Sequence, residues 1–305
     1  AGAGGLAVAV HTTQFAIRDP KIGLFRPVLE LAAEEVRRSN RPVVLVGGVC
    51  GNTNAAVAEA RTLRELGFHA GLLSLGALQQ ATEAELVGHC RRVACEIPLF
   101  GVYLQPLVGG RWLPISFWRR LAEVPELVAV KIAPFDRYRT LDVVRAMVET
   151  GRDDVALYSG NDDHIILDLL APYSFRRAGR LVRRYIVGGL LGQWAVWTRK
   201  AVLIHARCRH LVRSNRPVPF RLLALANALT DANAAIFDAA NQYAGCIPGL
   251  HEVLRRQGLL AGRWCLDPLE TLSPGQGREI ERVCRSYPAL SDDEFVAQHL
   301  DEWLK

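Results

Sequence analysis

The sequence predicts an α/β fold of the (β/α)8 barrel type (a TIM barrel), followed by a run of helices. Apolar strands and amphipathic helices alternate seven times, at intervals of roughly 25 to 35 residues, which is typical of parallel strands joined by right-handed crossovers. Polar residues follow nearly every strand, as expected where barrel strands end at one catalytic face. No GxGxxG motif follows the first strand, so a doubly wound open sheet is the weaker alternative.

Seven segments are predicted as strands because their apolar runs are largely unbroken, a pattern typical of parallel strands covered on both faces. In chain order they are residues 5–10, 42–46, 70–74, 97–104, 126–134, 154–158 and 184–187. The helices between them are expected over residues 22–38, 54–66, 82–94, 116–124, 140–151 and up to 170. Asn52 or Thr53, Thr82 and Ser116 are the expected caps, because their side-chain oxygens can accept from the first helical N–H groups.

A closed barrel needs eight strands, so the first βα unit is expected to lie upstream of this chain. The seven predicted strands would then be strands two to eight of the barrel. From about Pro217 the pattern is entirely helical, with helices expected over 220–240, 249–257, 274–287 and 292–304. We therefore expect a barrel over residues 1–215 and a C-terminal helical region over 216–305 packed on it.

Composition limits the class of protein. The 305 residues carry a formal net charge of +6 with 22% charged residues, an ordinary globular balance. The arginines form scattered pairs without interleaved aromatic residues, so no nucleic-acid partner is predicted. The denser cluster over 176–184 is expected to be an exposed loop or a contact surface for a neighbouring subunit. No apolar run reaches the roughly 18 residues of a membrane helix, so no membrane partner is predicted.

Cysteine and histidine usage bears on compartment and cofactors. The seven cysteines form no CxxC pair, which favours free thiols in a reducing, cytoplasmic compartment. The eight histidines show no HxH or HExxH spacing, so no metal is predicted. No other cofactor is predicted either.

The most informative residue is Lys131, where the fifth predicted strand approaches Pro134. Lysine occurs only four times, so 33 of the 37 basic residues are arginine. Arginine cannot lose its proton in a protein, whereas a desolvated lysine can become a neutral, nucleophilic amine. Two interpretations stay open from the strand alone. Lys131 is either a Schiff-base lysine or a strand-end lysine that reaches solvent or pairs with Asp136.

Four segments at strand ends resemble, in the right order, the dihydrodipicolinate synthase / N-acetylneuraminate lyase family of class I aldolases. The resemblance covers roughly residues 1–260. The family's Gly-Thr-Thr-Gly-Glu loop is matched by residues 11–15 and its Ser-Gly-Asp-Asp loop by residues 159–163. Its tyrosine is matched by Tyr103 and its Schiff-base lysine by Lys131, which lie 28 positions apart, the family's spacing.

The resemblance implies a cofactor-free, homo-oligomeric enzyme for a small-molecule 2-oxo acid of the pyruvate type. Lys131 would be the nucleophile, Tyr103 the proton shuttle, and Thr13 a hydroxyl in the tyrosine's relay. The predicted substrate-binding residues are His11, Thr12, Gly160, Asn161, Ile186 and Gly188. Alternatives stay open for several of these residues: turn formation for the threonines, helix capping for Asn161 and a tight turn for Gly188. His11 has either an acid/base or substrate-binding role or a purely structural one, and Tyr103 could instead be an aromatic residue that closes the barrel mouth.

Departures from the family pattern argue against dihydrodipicolinate synthesis itself. Gln14-Phe15 replaces Gly-Glu, so a charge gives way to an apolar ring. Val108 stands where the synthase branch has an arginine, and Arg111 is the nearest substitute. The synthase's second tyrosine has no match in residues 75–79.

The sequence therefore predicts a lyase or aldolase that makes or cleaves a C–C bond through a Schiff base on Lys131. A Schiff-base dehydratase of sugar-derived 2-oxo acids is the alternative within enzymes. A non-catalytic ligand-binding or regulatory member of the family is the alternative from another class.

Overall fold

The computed structural model describes residues 1–305 as strands alternating with helices, followed by helices alone. The strands are β1 (Gly5–Val8), β2 (Val44–Val49), β3 (Ala70–Leu73), β4 (Leu99–Leu104), β5 (Leu127–Ala133), β6 (Ala156–Ser159), β7 (Tyr173–Arg177), β8 (Arg180–Arg184) and β9 (Gly188–Gly189). The helices are α1 (Phe25–Arg38), α2 (Thr53–Glu65), α3 (Glu83–Ala94), α4 (Ile115–Leu121), α5 (Arg137–Glu149), α6 (Ile165–Leu170), α7 (Thr198–Arg213), α8 (Phe220–Ile236), α9 (Cys246–Arg256), α10 (Gln276–Ser286) and α11 (Asp293–Trp303). None of these helices is both long enough and apolar enough to span a bilayer.

Seven strands form one parallel sheet in the order β1-β2-β3-β4-β5-β6-β9. Each strand pairs with the strand that precedes it in this order, and helices connect most of the pairs. The predicted parallel α/β architecture is therefore confirmed. β1 and β9 are the edge strands of the sheet, and the upstream βα unit stays a prediction.

The chain divides into two compact units. One contains residues 4–161 and 171–190, which hold the whole sheet and helices α1 to α5. The other contains residues 1–3, 162–170 and 191–305, which hold helices α6 to α11. The predicted division at residues 215/216 stays a prediction.

The two faces of the sheet differ in what covers them. One face carries a cluster of side chains from β2, β3, β4 and β5 that includes Leu72, Phe100, Val102 and Ala129, and partly buried side chains of β1 and β6 pack against it. We call this the interior face, since it joins strands that lie far apart in the sheet order. The opposite face packs on the helices: a β-carbon built at Gly101 would lie 3.4 Å from Leu121 of α4.

The arginine-rich segment is a β-hairpin, not a loop. β7 and β8 pair antiparallel, with Tyr173 opposite Arg184, and the hairpin packs on α5. Arg177 pairs with Asp153 at 2.7 Å, and Arg184 donates to the carbonyl of Arg152 at 2.8 Å, so both arginines anchor the hairpin to the turn before β6. The prediction of a strand over 184–187 was wrong, because Arg184 belongs to β8 and the strand next to β6 is Gly188–Gly189.

Local capping chemistry explains where the predicted helix ends held and where they did not. Thr82 forms the expected capping box with Glu85 at the start of α3. Ser116 does not cap α4, which begins at Ile115. Helix α5 begins at Arg137 and not at Thr140, because the Asp136 carboxylate accepts from the N–H of Arg139 at 3.1 Å and caps the helix earlier. Helix α7 was not predicted.

Candidate functional site

Lys131 lies on the interior face of the sheet, two residues before the end of β5. Its neighbours in register are Val102 on β4 and Tyr158 on β6, and Val102 belongs to the interior cluster. Since residues in register point to the same side of a sheet, the lysine side chain projects into the interior. It is half-buried. The strand register thus places the Lys131 side chain on the same face as Val102 and Tyr158, and its role as a Schiff-base lysine stays a prediction.

Gly160, just after β6, leaves room for the Lys131 side chain. A β-carbon built at Gly160 would lie 2.5 Å from Cε of Lys131 and 2.6 Å from Cβ of Ala133. Its N–H donates to the carbonyl of Ile132 at 2.7 Å, which ties this loop to β5. Glycine is thus required here by the close approach of the Lys131 side chain and not by an unusual φ angle.

His11 lies at the carboxyl end of β1, one residue after Val10, whose side chain packs against the interior cluster. Burial, together with the positive charge of Lys131, lowers the pKa of His11 to about 4. At neutral pH His11 is an uncharged imidazole.

Backbone and ion-pair contacts fix the turn that carries His11. Ala9 has a φ of 59°, in the left-handed region. The Arg18 guanidinium donates to the carbonyls of Ala9 and Gly48, each at 3.0 Å, and pairs with Glu59 at 2.8 Å. A β-carbon at Gly48 would lie 2.1 Å from the Ala9 oxygen, so only glycine permits this approach. These contacts tie the turn that carries His11 to β2 and α2.

Thr12 and Thr13 lie in the same single-turn helix as His11. The N–H of Thr13 donates to the carbonyl of Val10 at 3.0 Å, so this group is used within the turn. Both threonines are half-buried. The structure thus brings them beside His11, and their roles toward substrate stay predictions.

Tyr103 lies on the other face of the sheet. Its register partner on β5 is Ile132, not Lys131, and its ring packs 5.2 Å from the ring of Trp118 on α4. The phenol donates to the carbonyl of Leu113 at 3.1 Å and accepts from the Leu113 N–H at 3.2 Å and from Arg139 at 3.3 Å. One proton and two lone pairs are all that a phenol offers, so this hydroxyl is fully used. The structure does not bring Tyr103 to Lys131, contrary to expectation.

Asn161 is buried and holds the loop that follows β5. Its Oδ1 accepts from the N–H of Phe135 at 3.0 Å, and its Nδ2 donates to Oγ1 of Thr140 at 3.3 Å. Phe135 has a φ of 52°, so the amide stabilises a strained backbone position. A direct substrate contact by Asn161 stays a prediction.

Ile186 and Gly188 lie at the edge formed by β9. Ile186 is fully buried. Gly188 is in register with Tyr158, and a β-carbon there would lie 2.9 Å from Cε1 of the tyrosine ring. Glycine at position 188 therefore leaves room for the Tyr158 ring, so its role is not limited to forming a tight turn.

Sequence reasoning missed two contributors to this site. Tyr158 is an interior aromatic residue in register with Lys131, packed 5.2 Å from the Phe100 ring. Its spacing of two from Gly160 was the available signal, since alternate residues of a strand share a face. Arg18, which fixes the His11 turn, gave no signal, because its partner Glu59 is 41 residues away.

Arg111, the predicted substitute for the family's arginine, is bound to the backbone of two loops. The Arg111 guanidinium donates to the backbone carbonyls of Leu78 and Ala81, so it joins the loops after β3 and β4. Phe15, which replaces the family's glutamate, is 38% exposed and lies 6.1 Å from the His11 ring. The family's carboxylate at this position is therefore replaced by an apolar contact to the histidine.

The fold and the site define a class of protein: a parallel, barrel-type α/β protein with a half-buried lysine on the interior face of its sheet. Solved structures share this fold over nearly the whole chain. A prophage protein of the dihydrodipicolinic acid synthase family from E. coli K12, in complex with pyruvate, has a TM-score of 0.75 at 14% identity, covering 94% of this chain and 88% of that chain. N-acetylneuraminate lyase from Fusobacterium nucleatum has a TM-score of 0.69 at 17% identity, covering 93% and 86%.

Part of the chain is similar in sequence to a known family. Residues 26–172 match the model of the Dihydrodipicolinate synthetase family. The chain is 29% identical over 155 residues to a 4-hydroxy-tetrahydrodipicolinate synthase of Cyanothece sp., covering 50% of this chain and 49% of that protein. It is 24% identical over 207 residues to the enzyme of the same name from Acaryochloris marina, covering 65% and 67%. The similarity to the Dihydrodipicolinate synthetase family covers just under half of this chain, and the chain spans about half the length of the first of these relatives.

Proposed function

We propose that this chain is a Schiff-base-forming lyase that makes or cleaves a C–C bond next to the carbonyl of a 2-oxo acid, with Lys131 as the nucleophile. The observation that carries the proposal is the position of Lys131, on the interior face near the carboxyl end of β5 with Gly160 clearing space for its side chain. Sequence similarity over about half of the chain to 4-hydroxy-tetrahydrodipicolinate synthases, and a fold shared with an N-acetylneuraminate lyase, support the proposal.

The chemistry follows from the amine. The neutral Lys131 amine attacks the keto carbon and a C–N bond forms. The carbonyl oxygen leaves as water, taking one proton from the amine nitrogen and one from solvent, so the nitrogen ends as a protonated iminium. The resulting iminium is an electron sink, so the electron pair of a bond to the neighbouring carbon can move toward nitrogen. In one direction this cleaves an aldol adduct, and in the other it gives an enamine that attacks an aldehyde.

The substrate class is chosen from the relatives and from the site. Pyruvate is bound in the solved structures of the E. coli K12 relative and of the dihydrodipicolinate synthase from Acinetobacter baumannii. A small 2-oxo acid also suits a half-buried amine bordered by Tyr158 and Val102. Substrate contacts by Thr12, Thr13 and Asn161 stay predictions, as do cytoplasmic location and homo-oligomer assembly.

The test is covalent trapping. Incubation with pyruvate and sodium borohydride should add a reduced pyruvyl group to Lys131, found by peptide mass mapping. Because lysine occurs only at positions 21, 131, 200 and 305, the assignment is direct. Lys131→Arg should fold and lose trapping, whereas Lys21→Arg, at an exposed position, should trap as the wild type does. Trapping that survives Lys131→Arg would refute the assignment.

One observation favours a second function, a ligand-binding member of the family without catalysis. Tyr103 faces the helices, and Arg111 is bound to backbone carbonyls, so two groups expected in the reaction are engaged elsewhere. Binding of pyruvate in calorimetry with no adduct for any 2-oxo acid would support this function. A dehydratase would instead give a borohydride-trapped adduct with a sugar-derived 2-oxo acid and would release water from that acid.

A further inference from the structure

The two strands beside β5 each carry a tyrosine, and only one of these phenols lies on the face of Lys131. Tyr103 on β4 points to the helix side of the sheet, where its hydroxyl contacts Leu113 and Arg139. Tyr158 on β6 is the register partner of Lys131. The Tyr158 and Lys131 side chains therefore leave the interior face side by side, on strands about 4.8 Å apart.

The Lys131 side chain extends toward the strand that carries Tyr158. A β-carbon built at Gly160 would lie 2.5 Å from Cε and 3.1 Å from Cγ of Lys131. The Gly160 N–H pairs with the carbonyl of Ile132 on β5, so the pairing of the two strands continues to this residue. Gly160 is two residues after Tyr158 and shares its face. The end of the lysine side chain thus lies over β6, next to the position from which the phenol projects.

The Tyr158 ring is held on the interior face by contacts from both sides. Its centroid lies 5.2 Å from that of Phe100 on β4, and the two rings meet over β5, which lies between β4 and β6 in the sheet. Phe100 is in register with Ala129, two residues before Lys131. On the other side, Gly188 of β9 comes close to Cε1 of the ring. The ring thus borders the strand that carries the amine.

The Tyr158 hydroxyl is not used by the protein itself. It makes no hydrogen bond to another protein group, in contrast to the hydroxyl of Tyr103. The residue is half-buried. A phenol carries one proton to give and lone pairs to accept one, so an unengaged phenol beside the amine can serve in both directions.

We propose that Tyr158 is the proton-transfer residue of this site, and the inference rests on the proposed Schiff base at Lys131. In the first step the phenol gives its proton, in place of solvent, to the hydroxyl that leaves as water. The phenolate that remains is favoured by the cationic iminium beside it. In the second step the phenolate takes a proton from the methyl carbon. The C–H pair becomes the C=C bond of the enamine, the C=N pair moves to nitrogen, and the phenol is restored.

The experiment follows exchange of the pyruvate methyl protons in D2O by proton NMR, beside borohydride trapping run to completion on the same samples. Exchange reports proton removal, and the final adduct reports the Schiff base. Tyr158→Phe keeps the ring and its packing on Phe100, so it should fold with the wild-type urea midpoint. It should still give the Lys131 adduct but exchange the methyl protons about 10²- to 10⁴-fold more slowly. Tyr138→Phe, at a tyrosine that is 84% exposed, is the matched control and should exchange at the wild-type rate.

A second measurement separates catalysis from structure. Exchange in Tyr158→Phe should rise with the concentration of imidazole buffer, because buffer base then removes the methyl proton, which a structural role for the hydroxyl would not produce. Unchanged exchange in Tyr158→Phe, or loss of exchange in folded Tyr103→Phe with retention in Tyr158→Phe, would overturn the inference while leaving the Schiff base intact. Lack of trapping by the wild-type chain would instead refute the proposed function itself.

Discussion

Gly160 offers the sharpest test of the geometry around the reactive amine. In Gly160→Ala the new methyl group would lie 2.5 Å from Cε and 3.1 Å from Cγ of Lys131, and 2.6 Å from Cβ of Ala133. The lysine chain is flexible and can move away from the methyl group. The Ala133 methyl is fixed to strand β5 and cannot, so the variant has both a displaced amine and an overpacked contact.

The magnitudes follow from these two contacts. Overpacking of this kind lowers the free energy of unfolding by about 1 to 3 kcal/mol. If displacement of the amine raises the barrier to Schiff-base formation by a similar amount, trapping slows about 5- to 150-fold. Urea unfolding measures the first effect, and the rate of borohydride trapping with pyruvate measures the second.

Two further variants make the test specific. Gly160→Ala combined with Ala133→Gly removes the fixed contact, so stability should largely return while trapping stays slow. Gly88→Ala, on the exposed side of α3 with no atom within 4 Å of the new methyl group, should instead stabilise the chain by about 0.5 to 1 kcal/mol. Wild-type trapping by a folded Gly160→Ala variant would refute the placement of Lys131 against this loop.

Two other predictions concern stability. The pKa of His11 is about 4 in the folded chain and 6.5 in the unfolded chain. As the pH falls, the unfolded chain therefore binds the proton first, and stability that is present at pH 7.5 is lost progressively below pH 6.5. Urea unfolding should show about 2 kcal/mol of this loss at pH 5, and His11→Asn should lack that part of the slope. Arg152 donates to the carbonyls of Ala122, Val124 and Leu127 at 2.6 to 2.9 Å. Arg152→Lys, which lacks the planar fork, should lower the unfolding free energy by about 3 kcal/mol, and an unchanged urea midpoint would contradict this.

The alternation of strands and helices was predictable because each buried strand has a continuous apolar run. Lys131 was predictable for the same reason, as a lysine that breaks such a run in a chain otherwise rich in arginine. The hairpin was not, because five arginines over 176–184 conceal the alternation of β7 and β8. Arg18 could not be recognised, since its contacts with Gly48 and Glu59 join distant parts of the chain.

The misplacement of Tyr103 shows why spacing along a chain does not determine a site. A separation of 28 residues fixes where a side chain lies along its strand but not which face it points to. The face is set by the register of β4 on β5, which contains an irregularity between Leu99 and Phe100 and pairs Val102 with Lys131. A slip of one residue reverses every side chain of a strand.

Turning Tyr103 to the interior would therefore also turn Phe100 and Val102 out of the interior cluster and put Gly101 in their place. Each of the two displaced side chains contributes about 1.5 to 3 kcal/mol by burial, so the slip is opposed by several kcal/mol. The phenol would also have to give up Leu113 and Arg139.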